Sequence, residues 1–586
     1  MDEKKMINLK IDGKAVTVPE GTTVVEAARM ANISIPTLCY LKGINAIGAC
    51  RVCIVEVKGM RALQASCVLP VSEGMEVTTN TPKVRESRKT TMELILSDHD
   101  RQCLTCVRNR NCELQALADE MGIDNIRYEG ERLERKKDLS SVAIVRDQNK
   151  CILCRRCVAV CQNVQKVGVI EATNRGFKTT IEPAFEMPIA DVACINCGQC
   201  IEACPVGALS EKNEIDEVWE AIADPSKHVI VQTAPAVRVA LGEEFGMPIG
   251  TVVTGKMATA LRDLGFDKVF DTLFAADLTI MEEGFELINR IKNGGKLPMI
   301  TSCSPGWIKY CEHHYPEFTE NLSSCKSPHE MLGALMKSYY AEKNNIDPKD
   351  IVVVSVMPCT AKKFEANREE LANEKGFKDV DYSLTTREIA RMIKQAGIDF
   401  VNLPDSEFDP MFGDGTGAAV IFGATGGVME AALRTVADVL TGQDLKKIDY
   451  DAVRGSYSGV KEATVNIGGK DFHVAVAHGT GNAKALLDDI KAGKANFDFI
   501  EIMGCPGGCI TGGGQPIVSS KVRAVEDVFK LRSQAIYNID KNYPIRKSHQ
   551  NPSIQKIYDE YLGEPNSHKA HELLHTHYVK RGLYKD

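Results

Sequence analysis

Polar and apolar positions alternate over Met6–Ile11 and again up to Val18, with Gly13 at the turn, and Gly21-Thr22-Thr23 then opens an apolar-periodic helix. Strand, turn, strand and helix in that order predict a small sheet domain. Residues 91–117 read as helix-forming. From residue 229 the texture changes: apolar runs such as 229–232, 351–356 and 474–477 alternate with helical stretches such as 282–292. That alternation predicts a large α/β region with parallel strands and room for two lobes. The apolar stretch 418–429 is short and glycine-rich, which predicts backbone packed closely around a site.

At 586 residues the chain holds several cores. Its net charge of −8 argues against a nucleic-acid surface, which needs a basic excess. The N-terminus lacks the apolar core and cleavage site of a secretory signal, and no run approaches about 18 uninterrupted apolar residues. These features predict a cytoplasmic chain with no membrane span.

Cysteine changes the picture most. Of 21 cysteines, 15 lie before residue 210 in tight groups, which in a reducing compartment read as metal ligands rather than disulfides. Cys39, Cys50, Cys53 and Cys67 (C-x10-C-x2-C-x13-C) suit a 2Fe-2S cluster or tetrahedral zinc. His99 stands beside Cys103, Cys106 and Cys112, a set that suits a 4Fe-4S cube with one imidazole ligand. Two runs follow with the spacing C-x2-C-x2-C-x3-C. In two-cluster ferredoxins the fourth cysteine of each run serves the other cube. That rule groups Cys151, Cys154, Cys157 and Cys204, and separately Cys194, Cys197, Cys200 and Cys161. Paired structural zinc is the weaker alternative.

Six cysteines remain. Cys311 and Cys325 read as small buried hydrophobes. The others sit in TSCSPGW from Thr301, MPCTAKKFE from Met357 and EIMGCPGGCITGGGQP from Glu501, each a strand-like run entering glycine or proline.

These three segments resemble the signature segments of the FeFe (iron-only) hydrogenases, and the four upstream groups follow the order of that family's longer members. The resemblance implies an H-cluster: a 4Fe-4S cube joined through a cysteine sulfur to a diiron unit bearing CO, cyanide and a dithiolate. Carried over, Cys359 and Cys505 would ligate the cube, Cys509 would bridge to the diiron unit, and Lys362 would hydrogen-bond a cyanide. Pro235, Ala236, Met357, Met503 and the FGATGG stretch would line the pocket. Cys303 would pass protons to the diiron unit, with Glu283, Glu286, Arg290 and Ser323 as the relay to the surface. One position departs from the family, whose usual TSCCP is TSCSP here: Ser304 stands at the fourth cube ligand, and serine is a harder, less acidic donor than thiol. Three readings follow: Ser304 ligates through oxygen, Cys303 shifts inward and leaves proton transfer to the serine, or the site is impaired.

The expected architecture is multidomain, α+β and α/β. Residues 1–80 form a 2Fe-2S ferredoxin-like (β-grasp) domain and 81–140 a small 4Fe-4S cluster domain with one histidine and three cysteine ligands. Residues 141–215 form a two-cluster 4Fe-4S ferredoxin domain and 216–586 a two-lobed α/β H-cluster domain. The expected function is a hydrogenase interconverting H2 with protons and electrons, through one 2Fe-2S cluster and three accessory 4Fe-4S clusters. Electrons would run from the H-cluster to the two ferredoxin-like cubes and then branch. No G-x-G-x-x-G follows a strand, so ferredoxin or flavin- and NAD(P)-binding subunits of a hetero-oligomer would exchange the electrons. Maturation proteins are implied, since no side chain supplies CO or cyanide. The alternative is a non-catalytic electron relay or cluster-assembly protein on the same fold. A respiratory-complex subunit would explain the N-terminal groups but not MPCTAKK together with EIMGCPGGC.

Overall fold

The structure, a computed structural model, describes residues 5–128, 130–373, 376–413, 415–446, 448–455 and 459–585. Near the N-terminus, β1 (Met6–Ile11) and β2 (Lys14–Pro19) pair antiparallel. They join β3 (Ile54–Val57), β4 (Gln64–Ala65) and β5 (Glu76–Thr78) in a sheet ordered β2-β1-β5-β3-β4. The alternation seen in sequence is realised: Ile7, Leu9 and Ile11 point inward with Val16 and Val18 onto Val24, Val25 and Ala28 of the helix Val24–Met30. Cys39, Cys50 and Cys53 lie on the connection between that helix and β3.

One expectation is corrected. The helix Pro82–Asp98, capped by the Thr81 side chain, stops before His99, and a second helix begins only at Glu113 (Glu113–Glu120). The intervening residues form a loop with one short turn, Cys103–Thr105. A continuous helix would spread His99, Cys103, Cys106 and Cys112 along its axis, whereas a loop lets them converge.

Two short antiparallel pairs follow, β6 (Ile144–Arg146) with β9 (Leu209–Glu211) and β7 (Glu171–Thr173) with β8 (Thr180–Glu182). They flank the eight ferredoxin-type cysteines.

The rest of the chain is built on two four-stranded sheets. In the first, β10 (His228–Thr233), β11 (Lys268–Asp271), β13 (Ile351–Met357) and β14 (Tyr382–Thr385) run parallel in the order β11-β10-β13-β14. Its strands are apolar on both faces: Val229, Val231, Val354 and Val356 enter one core, Ile230, Ile351 and Val353 the other. The second sheet orders β12 (Met299–Ile300), β17 (Phe499–Met503), β16 (Lys470–His478) and β15 (Val460–Ile467) as β12-β17-β16-β15. Here the expected parallel pairing gives way at β15–β16 to an antiparallel hairpin. Gly468 and Gly469, both at positive φ, form its two-residue turn, the backbone such a hairpin requires. Among the described residues no helix is long and apolar enough to cross a membrane.

Candidate active site

The TSCSP, MPCT and GCPGGC segments follow β12, β13 and β17, and Pro235 and Ala236 follow β10. All four leave the carboxyl ends of parallel strands, where loops of open α/β sheets converge on ligands. Cys505 and Cys509 each feel the charge of Cys359, and Cys303 feels those of Cys509 and Lys362. Burial pushes all four thiols up, Cys509 to about 12, so these sulfurs become thiolates only beside compensating positive charge. Gly507 and Gly508 between the last two cysteines adopt φ of 87° and 91°, and a Cβ on Gly508 would meet the backbone of Ala424 and Thr425. The GATGG stretch therefore packs against the cysteine loop, as its glycine content predicts.

Ser304 and Cys303, adjacent in sequence, face different groups. Ser304 Oγ accepts the backbone N–H of Gly504, at 3.0 Å, beside Cys505. Cys303 lies within reach of the Glu283 charge. Ala236 and Met503 pack in the same apolar cluster as Cys303 and Cys509, whereas Met357 enters the core of the first sheet with Ala234 and Val237.

Lys362 Nζ donates to Glu365 Oε2 (2.5 Å), Ser327 Oγ (2.8 Å) and the Cys303 carbonyl (3.4 Å). Burial disfavours its charge, but Glu365 together with the Cys359 and Cys303 sulfurs outweighs it and raises the pKa. His329 Nε2 lies 2.6 Å from the same Glu365 oxygen. Sequence reasoning missed Glu365 and His329, as well as Glu501, which accepts the N–H groups of Gly426 and Met429 at 2.7 Å and so holds the glycine stretch in place. The only signal was a charged residue inside an apolar strand in the Glu501 case and the i, i+3 spacing of Lys362 and Glu365.

Glu283, Glu286 and Arg290 lie on the helix Leu273–Asn293. Glu283 is 1% exposed, and its carboxylate makes no hydrogen bond of full geometry among the described residues, though the Ser323 hydroxyl and the Ser302 N–H face it. Burial, then the Glu286 charge, raises its pKa to about 8. Ser323 Oγ donates to Glu286 Oε2 (2.8 Å) and Arg290 Nη2 to Glu286 Oε1 (2.6 Å). A line of titratable and hydroxyl groups therefore runs from Cys303 to Glu286 and Arg290, which are only partly buried at the edge of the helix.

All 21 cysteines are free thiols, and the upstream groups converge. Cys39 hydrogen-bonds Cys50 and Cys67, and Cys53 hydrogen-bonds Cys67. His99 is buried, its Nδ1 has no hydrogen-bond partner among the described residues, and desolvation lowers its pKa to about 4, keeping the imidazole in the neutral form that binds metal. Cys151, Cys154, Cys157 and Cys204 line one cavity, while Cys161, Cys194, Cys197 and Cys200 line a second. The structure thus brings together the crossed sets, not the sequential ones. Buried thiol quartets of this kind fit iron-sulfur cubes.

The cysteine sets also touch across segments. Asn45 Nδ2 donates to the carbonyls of both Cys39 (2.8 Å) and Cys154 (3.1 Å). Arg108, between Cys106 and Cys112, donates to the Cys204 carbonyl (3.1 Å). Gln165 donates to the Gly504 carbonyl (2.8 Å), and Cys505 Sγ lies 4.0 Å from the Cys197 carbonyl.

Residues 227–513 match the iron only hydrogenase large subunit, C-terminal domain, and 526–581 the iron hydrogenase small subunit. Upstream, 4–82 match a 2Fe-2S iron-sulfur cluster binding domain, 88–127 the NADH-ubiquinone oxidoreductase-G iron-sulfur binding region, and 150–208 a 4Fe-4S dicluster domain. The chain is 51% identical to the NADP-reducing hydrogenase subunit HndD of Solidesulfovibrio fructosivorans, over 98% of this chain and 99% of that one. The chain belongs to the iron-only hydrogenase family. This hydrogenase is also 44% identical to iron hydrogenase 1 of Clostridium pasteurianum, over 98% of this chain and all (100%) of the other. Among solved structures, a single-residue variant of the apo [FeFe]-hydrogenase HydA1 from Chlamydomonas reinhardtii aligns with a TM-score of 0.57 and 45% identity, over 63% of this chain and 100% of that one. The hydrogenase is thus a multidomain oxidoreductase acting on H2, with 2Fe-2S, 4Fe-4S and H-cluster regions of mixed helix and sheet.

Proposed function

We propose that this hydrogenase holds an H-cluster through Cys359, Cys505, Cys509 and Ser304, with Cys303 as the proton donor beside it. When bound, the H-cluster would supply the iron site where H2 is made or cleaved. The observation that carries this reading is the divergence of Ser304 and Cys303: the serine hydroxyl stands at the Cys505 loop, the thiol on the Glu283 side. That favours oxygen ligation by Ser304 over an inward shift of Cys303. Glu283, protonated at neutral pH, passes its proton toward Ser323 and Glu286, and Arg290 orients Glu286 at the surface. Lys362, held by Glu365, keeps a buried ammonium at the cleft, and Pro235, Ala236 and Met503 exclude water, with Met357 packed behind them in the core of the first sheet.

Electrons reach the site by a branched path. The Cys161/Cys194/Cys197/Cys200 cube would adjoin the H-cluster through Cys197 and Gln165. The Cys151/Cys154/Cys157/Cys204 cube would adjoin both the 2Fe-2S cluster, through Asn45, and the His99 cluster, through Arg108. Two entrances suit two electron partners. Likeness to a subunit named as NADP-reducing supports a hetero-oligomer in which another subunit binds NAD(P); a flavin-binding subunit, ferredoxin as the other partner and a cytoplasmic location complete this reading. The two four-stranded sheets support two lobes around the site, and the N-terminal five-stranded sheet supports a β-grasp domain. The relay or assembly alternative is less supported, since the two relatives above are named hydrogenases and match both the cluster regions and the catalytic region.

Mössbauer and EPR spectroscopy of the fully loaded chain test the inventory: one 2Fe-2S cluster, three accessory cubes and one cube coupled to a diiron unit. A spectrum without the coupled cube overturns the H-cluster assignment.

A further inference from the structure

Cys325, which reads in sequence as a buried hydrophobe, lies in a more informative place. Its thiol is 3.8 Å from Glu286 Oε2, and its backbone bridges antiparallel to His575 near the C-terminus. The ligand atoms of Glu286, Cys325 and His575 all lie within 4.8 Å of one another. We propose that these three side chains form a binding site for a divalent transition-metal ion of the zinc class, built onto the outer end of the proton relay.

Three observations support it. The donor set is mixed, one carboxylate, one thiol and one imidazole, the combination that borderline metals select over magnesium or calcium. The ligands are already oriented by neighbours: His575 Nε2 lies 3.1 Å from Glu282 Oε2 and its Nδ1 2.8 Å from Ser324 Oγ, while Arg290 and Ser323 fix Glu286. One ring nitrogen can take the metal while the other keeps its partner, the carboxylate–histidine–metal arrangement that tunes such sites. The carboxylates of Glu282 and Glu286 act on Cys325, which suits a cation, and Arg290, bound to Glu286, offsets part of that charge. The ion replaces the thiol proton of Cys325, which leaves to solvent.

Access exists from the surface. Glu286 and Arg290 keep 13% and 15% of their side chains exposed, and the exposed His571 ring lies tilted against His575, with ring centroids 4.0 Å apart. Because Glu286 also belongs to the proposed relay, a bound ion withdraws it from proton transfer. This consequence, unlike the site itself, rests on the relay reading.

The test uses the full chain with every cluster loaded, titrated with zinc chloride, with binding followed by equilibrium dialysis and ligation by zinc-edge X-ray absorption. Expected is one ion bound through a single Zn–S contact of about 2.3 Å. Cys325→Ala and His575→Ala should each weaken binding at least about tenfold. Zinc bound without sulfur, or with unchanged affinity in both variants, overturns the site. Sulfur-ligated zinc with falling hydrogen turnover supports site and relay together. Sulfur-ligated zinc with undiminished turnover supports the site and sinks the relay through Glu286.

Discussion

Ser304 Oγ accepts the Gly504 N–H at 3.0 Å, which fixes the serine against the backbone that leads directly into Cys505. The hydroxyl is therefore a member of the cysteine loop's surroundings and stands apart from the proton relay. If it is the fourth donor, Ser304→Cys retains the cube and Ser304→Ala releases it. Iron content and the cube's EPR signal in the diiron-free chain check this, and full retention in Ser304→Ala would contradict it.

Glu283 is the buried group between Cys303 and the Ser323–Glu286 pair. Glu283→Gln keeps the shape and loses the transferable proton, so turnover should fall by about 10²–10⁴-fold with iron content unchanged. Equal losses of iron and activity would assign Glu283 a structural role instead.

The same residue makes stability depend on pH. In the unfolded chain its carboxyl ionises near about 4.3, whereas in the fold it holds its proton up to about 8. Across that window the folded state binds more protons than the unfolded state, so this contribution to stability falls as pH rises and levels off above about 8. Thermal unfolding of the native chain should show a steeper decline across this range than Glu283→Gln; parallel curves would contradict the assignment.

Gly513 lies where the catalytic region meets the ferredoxin-type region. A Cβ there would run into the Cys197 carbonyl and Gly198, backbone on a segment already constrained by Thr360 Oγ donating to the Asn196 carbonyl at 2.7 Å. Gly513→Ala should cost about 1–3 kcal/mol and slow electron delivery from the accessory cubes, seen as slower reduction of the H-cluster in freeze-quench EPR. An unchanged midpoint and rate would show that the junction yields easily.

Much of this was legible in sequence because cluster ligands follow strict spacing: the two crossed cysteine sets line the two cavities they were grouped for. Strand positions around residues 229, 351 and 474 were legible from apolar runs. The break at His99 was not, because helix propensity persists across residues whose conformation is set by convergence of ligands. Glu365, His329 and Glu501 were also invisible, since a buried charge in sequence looks like any other charge, and only packing shows which partner satisfies it. Cys325 is buried in an apolar core, as its sequence context predicts, but its neighbour His575 was not legible, since it lies 250 residues away and is brought beside it by one backbone bridge.

Hydrogen evolution from reduced viologen, by the anaerobically reconstituted chain loaded with a synthetic diiron cofactor, tests the central claim most directly. The account expects the natural chain to evolve hydrogen, with the Ser304→Cys version at least as active. Full iron and diiron loading with no hydrogen from either version would contradict it.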